Sequence, residues 1–288
     1  MLKQRVITAI VLLAILLPAL FYKTPVPFCT VALVLIAAGA WEWGRLNACG
    51  QGSSLLLAGI CLLMCGLSWY FGLLTQPLAW LWQIAGVSWI VVVIWLLYQG
   101  VSGWMHIPKG LRLLGGLMAL WLAWLAVSRA RVIGIDFLLS VLVLVWAADI
   151  FAYIAGRTFG GKFTKRKLAL SISPGKSWEG VWGAVAGVVL LTVLWVALEK
   201  INAASGQLSI SSGSLYARLW TQHGALLMSV SVVFLVAMSV SGDLVESLVK
   251  RSARVKDSSG LLPGHGGVLD RVDALLPTLP LALMFISL

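Results

Sequence analysis

Long apolar stretches separated by short polar connections divide the whole chain. Runs of about 17 to 25 mainly apolar residues fall near 6–22, 26–45, 54–74, 78–98, 112–129, 137–157, 178–198 and 223–248, close to the length an α-helix needs to cross a bilayer. A ninth runs from about 270 to the C-terminus. Its sequence, "DRVDALLPTLPLALMFISL", begins with charges and has two prolines, so its first turns are expected to lie within protein rather than lipid. The first run has the basic start and apolar core of a signal peptide, but no small-x-small cleavage site follows it, so it reads as a retained span. The pattern predicts an all-α, polytopic integral membrane protein of about nine transmembrane helices.

Composition agrees: 60% hydrophobic residues and fifteen Trp, with a mean hydropathy of +0.99, exceed what a soluble globular domain carries. Charge sets the orientation. Sixteen of the 21 Lys and Arg lie on the side of the N-terminus, from Lys3 and Arg5 through the loops 158–177 and 249–269, and the other side has Lys23, Arg129, Arg131, Lys200 and Arg218. The positive-inside rule then places the N-terminus and the charged loops in the cytoplasm, and an odd span count leaves the C-terminus outside. The net charge of +11 largely restates this rule and suits anionic lipid headgroups; it implies no nucleic-acid partner. The four cysteines, Cys29, Cys49, Cys61 and Cys65, lack zinc-type pairing with histidine and read as small apolar packing residues.

The rule does not account for the acids. Of ten carboxylates, seven gather at one membrane face: Asp149, Glu179, Asp243, Glu246, Asp257, Asp270 and Asp273. Acids at a membrane need a partner, a proton or a metal. Asp149, Tyr153 and Gly156 or Arg157 share one helical face, where Asp149 either pairs with Arg157 or a loop lysine or belongs to a site. The next loop carries Lys162, Lys165, Arg166, Lys167 and Lys176, ending in Ser173-Pro174-Gly175-Lys176-Ser177 before a helix. Helix-start N–H groups, two hydroxyls and Lys176 suit a phosphate. The segment is not a Walker loop, because the glycine spacing is absent and no strand is expected before it; Glu179 equally fits an ordinary helix-start acid.

Asp243, Glu246, Ser247 and Lys250 recur at three and four residues and share one stripe. Two carboxylates one turn apart at a membrane border suggest a divalent cation, and hard oxygen ligands without a His or Cys cluster point to magnesium or manganese. Glycines 260, 264, 266 and 267 follow, with His265 among them, then Asp270 and Asp273 one helical turn apart. Gly266 and Gly267 allow backbone to approach a ligand closely. His265 reads either as a loop hydrogen-bonding residue or as a general acid or base.

Ser247, Lys250-Arg251, Lys256-Asp257, His265-Gly266-Gly267, Asp270-Arg271 and Asp273 resemble, in order and spacing, the signature of the phosphatidate cytidylyltransferase (CDP-diacylglycerol synthase) family of bacteria. The stretches Asp149 to Gly160 and Ser173 to Gly180 resemble a second region of that family, so the likeness covers roughly the C-terminal half. Residues 1–130 resemble it in hydropathy alone and read as a transmembrane scaffold beside a catalytic region, 131–288.

The resemblance implies that CTP and phosphatidic acid give CDP-diacylglycerol and pyrophosphate, with magnesium and a potassium ion, at the cytoplasmic face of the inner membrane. It implies Asp243 and Asp270 as metal ligands, with Glu246, Asp257 and Asp273 as further or supporting ligands. Lys176, Lys250, Arg251, Lys256 and Arg271 would clamp phosphates, and Ser173, Ser177 and Ser247 would donate hydrogen bonds to them. Asp149, Gly266 and Gly267 would line the substrate site, and His265 would orient. A homodimer is also implied. The small-residue face Gly180 to Gly187 would serve such an interface or packing within one subunit. An ion-coupled transporter is the competing reading, with Asp149 and Asp243 on an ion path, but its acids should then spread along the membrane and not cluster at one face.

Overall fold

The computed structural model describes residues 2–204 and 213–288. Among the described residues there are eight long helices: α1 (Leu2–Phe21), α2 (Val26–Leu46), α3 (Gln51–Tyr70), α4 (Ala79–Trp104), α5 (Lys109–Ile133), α6 (Ile135–Phe159), α7 (Trp178–Ala204) and α8 (Leu215–Ser252). All eight are long and apolar enough to cross a membrane, and helices satisfy their own backbone hydrogen bonds where lipid offers none. Large side chains such as Ile7, Leu56, Ile94 and Leu198 stay exposed on their outer faces. Trp82, Trp124, Phe137, Leu235 and Leu248 fill the interior, where the Trp124 indole donates to the Cys29 carbonyl at 3.1 Å and ties α5 to α2. The four cysteines are free thiols.

Glycine breaks one of these elements where the hydropathy pattern begins a new run. Within α8, Gly224 has φ +78°, a conformation that favours glycine, so the segment after it matches the apolar run read at 223–248. The loop between α6 and α7 holds a short antiparallel hairpin of β1 (Lys167–Ala169) and β2 (Ser173–Ser177). The expectation that no strand precedes α7 is therefore overturned. Its Ser-Pro-Gly-Lys-Ser segment is the second strand, paired with β1 in a polar loop; the two strands are too short to show an alternating pattern.

The small-residue face of α7 packs within the subunit. A Cβ on Gly183 would lie 2.2 Å from that of Ala155, and one on Gly187 would meet the Phe151 ring at the same distance. Replacing Gly187 by leucine is expected to destabilise the protein by about 1–3 kcal/mol through overpacking, read as a lower melting temperature in detergent.

The C-terminal segment differs from the other apolar runs. It forms α9 (Leu269–Val272) and α10 (Leu275–Phe285), and α10 contains Pro280. Eleven residues in α10 rise about 16 Å, near half the bilayer core. It is buried from Pro277 to Leu283 and packs on α4, α5 and α8. Protein therefore surrounds the segment, as its prolines and charged start suggest.

Candidate active site

The C-terminal end of α8 carries the acidic stripe. Ser247 Oγ donates to Asp243 Oδ1 at 3.2 Å. One turn on, the Lys250 ammonium lies 2.5 Å from both Glu246 Oε2 and Asp270 Oδ1. Close packing at Gly242 brings the third acid in: a Cβ there would stand 2.7 Å from the Asp273 carbonyl and 2.9 Å from the Pro277 ring. The link between α9 and α10 thus lies directly on α8. One carboxylate oxygen from each of Asp243, Glu246 and Asp273 falls within 4.8 Å of the others. Glu246 Oε1 is buried and has no hydrogen-bond partner among the described residues. Three converging carboxylates, one with an unsatisfied oxygen, fit a small hard cation such as magnesium.

Asp270 stands apart from this trio. Its Oδ1 accepts from Lys250, and its Oδ2 accepts from the Ser258 amide and hydroxyl, both at 2.9 Å, and from the Gly267 amide at 2.7 Å. Both oxygens are engaged within the protein, and the carboxylate oxygen that converges with those of Asp243 and Glu246 is that of Asp273. Gly266 and Gly267 also sit beside acids: a Cβ on Gly266 would meet Asp270 Oδ2 at 2.6 Å, and one on Gly267 would meet Glu42 Oε1 at 2.4 Å.

A polar cavity of about 410 Å³ opens on the other side of Asp243, between α6, the hairpin, α7 and α8. Asp149, Tyr153, Arg157, Lys176 and Ser177 line it with Asp243. Lys176 Nζ lies 2.7 Å from Asp243 Oδ2, which places a cation at the acidic cluster. Arg157 donates to the Tyr153 hydroxyl at 2.8 Å, and Asp149 has no ion-pair partner among the described residues. Ser177 Oγ accepts from the Gly180 amide at 3.2 Å and caps α7. Glu179 accepts from the amides of Phe163 and Thr164, at 3.2 and 2.7 Å, and so holds the preceding loop.

The other expected residues lie around this centre. Ser173 is half-buried at the start of β2. Arg251 donates to the Ile172 carbonyl at 3.4 Å and joins the hairpin to α8. Arg271 donates twice to the His265 carbonyl, at 3.1 and 2.6 Å, while His265 Nδ1 is buried without a hydrogen-bond partner among the described residues. Lys256 and Asp257 are exposed.

A family model described as "Cytidylyltransferase family" matches residues 3–288. The chain belongs to this family. It is 37% identical to a Phosphatidate cytidylyltransferase of Pseudomonas aeruginosa, over 97% of this chain and 95% of that one. A protein of the same name from Haemophilus influenzae is 36% identical over 97% of this chain and 96% of its own. Phosphatidate cytidylyltransferase 5, chloroplastic, of Arabidopsis thaliana is 39% identical over 49% of this chain and 29% of its own.

In this cytidylyltransferase-family chain, sequence reasoning missed Glu42. Its side chain is fully buried on α2 and accepts from the hydroxyls of Ser258 and Ser259, at 3.1 and 2.5 Å, and from the amides of Val268 and Leu269, at 2.9 and 2.8 Å. One carboxylate from the first half of the chain thereby fixes the whole loop that carries His265 to Asp270. The available signal was an isolated acid at the end of an otherwise apolar span.

Proposed function

We propose that the protein transfers the cytidylyl group of CTP to phosphatidic acid, forming CDP-diacylglycerol and pyrophosphate at the cytoplasmic face of a bacterial inner membrane. The observation that carries this reading is the trio Asp243, Glu246 and Asp273, of which Asp243 lines a polar cavity that also holds Lys176. The names of the relatives supply the substrates. A triphosphate in the cavity would place its anionic oxygens near Lys176, and Lys250 provides a second cation behind the trio.

A phosphate oxygen of the lipid attacks the α-phosphorus of CTP. A new P–O bond forms there as the bond to the β-phosphate bridging oxygen breaks, and pyrophosphate leaves with that electron pair. The lipid phosphate is already ionised near neutral pH, so the residues act by alignment and by stabilising charge on phosphoryl oxygens. Magnesium held by Asp243, Glu246 and Asp273 would supply further charge neutralisation at those oxygens. Clustering of the acids at one end of α8, against α9, argues against an ion path along the membrane.

Purified protein supplied with phosphatidate, CTP and magnesium is expected to form a cytidine-containing lipid. Failure to form it with any phosphatidate or divalent cation would reject the proposal. Lys176→Ala is expected to raise the KM for CTP about tenfold or more, the loss of one charge-assisted hydrogen bond. Steady-state kinetics over a CTP series checks this.

A further inference from the structure

A second cavity, of about 330 Å³, lies on the opposite side of the acidic trio, between α4 and α5. Both helices pack against α10, and the cleft between them is walled almost entirely by apolar side chains. Its mouth, at Ser88, Val92, Trp95 and Gly115, is exposed on the outer surface of the helices. Its buried floor includes Gly242 and Glu246 of α8, and the residue between Gly242 and Glu246 that lines the polar cavity is Asp243. One turn of α8 therefore separates an apolar cleft from a polar cavity, with the carboxylates at the boundary.

Three features specify the occupant. Arg112 and Leu122 both line the cleft along α5; their separation corresponds to about 15 Å of helix, half of a bilayer core of about 30 Å, the depth of one leaflet. Arg112 is the cation of the lining. Its Nη1 donates to Met105 Sδ at 3.5 Å and the group lies over the Trp104 ring, but among the described residues its buried Nε has no hydrogen-bond partner and it makes no ion pair. Space is also kept open: a Cβ on Gly115 would meet nothing within 4 Å. A guanidinium with no carboxylate partner among the described residues, at the end of an apolar, leaflet-deep cleft, suits an anionic lipid.

We infer that this cleft holds the acyl chains of the phosphatidate substrate, with the lipid phosphate directed between Arg112 and the carboxylate trio. The inference rests on the activity proposed above and assigns the first half of the chain a part in substrate binding. The reaction would then occur where the two cavities meet, with the lipid keeping its tails in an apolar environment.

Phosphatidate carrying a diazirine in mid-chain tests this in the unmodified protein in lipid nanodiscs. Labelling is expected on the α4 and α5 walls of the cleft, competed by unlabelled phosphatidate but not by phosphatidylcholine. Labelling elsewhere, or equal competition by phosphatidylcholine, would overturn the inference, the latter by showing bulk lipid in the cleft. No labelling of the cleft together with a dimer mass would also overturn it, in favour of a second copy as occupant. As a second measure, Gly115→Trp is expected to lower the ratio of kcat/KM for dioleoyl over dihexanoyl phosphatidate at least tenfold; an unchanged ratio counts against the cleft. Absence of cytidine-containing product from the unmodified protein would reject the activity, whereas specific labelling would still identify the cleft as an anionic-lipid site.

Discussion

Asp243→Asn is expected to lower turnover about 10²- to 10³-fold, the scale at which loss of one preorganised charge-stabilising group is felt. Asp243 lies at the meeting point of every feature of the site. It belongs to the carboxylate trio, pairs with Lys176 at 2.7 Å, accepts from Ser247 and lines the polar cavity. Asparagine keeps the shape and removes the charge, so the fold should persist and the magnesium requirement should rise. Turnover across a magnesium series, with melting temperature as control, separates the two effects. Near-normal turnover at low magnesium would remove Asp243 from the centre.

Glu42→Ala is expected to cost about 2–4 kcal/mol, because it leaves the buried amides of Val268 and Leu269 without an acceptor and frees two serines. The consequence should reach the chemistry. The loop held by Glu42 also contributes Ser258 and Gly267, the donors to Asp270, and Asp270 in turn positions Lys250. Melting temperature should fall and activity should fall with it. Glu42→Gln should do less harm, since its amide oxygen still accepts hydrogen bonds. Equal melting of the alanine variant and the parent protein would show that the loop is held by other contacts.

The spans were legible because lipid tolerates only long apolar helices, and the runs up to 223–248 correspond to α1 through α8. The α8 stripe was legible for the same geometric reason: residues three and four apart must share a face, so Asp243, Glu246 and Lys250 meet whatever surrounds them. Contacts between distant segments follow no such local rule. The distinction between Asp270 and Asp273 depends on where Gly242 lets the α9–α10 link settle on α8, and three residues of sequence spacing leave that open. Glu42 lies 216 residues from Ser258. The hairpin before α7 forms in a polar loop whose strands have three and five residues, too short for an alternating pattern. The cleft between α4 and α5 is lined by residues from α2, α4, α5, α8, α9 and α10, and which of them face one another is again set by contacts between distant segments.

Transfer of the cytidylyl group, as opposed to a terminal phosphoryl group, is the central claim, and the fate of two labels in CTP tests it most directly. With phosphatidate and magnesium present, label at the α-phosphorus is expected to appear in the lipid product, and label at the γ-phosphorus to appear in water-soluble pyrophosphate. Label from the γ-phosphorus in lipid, or no lipid label from either position, would contradict the account.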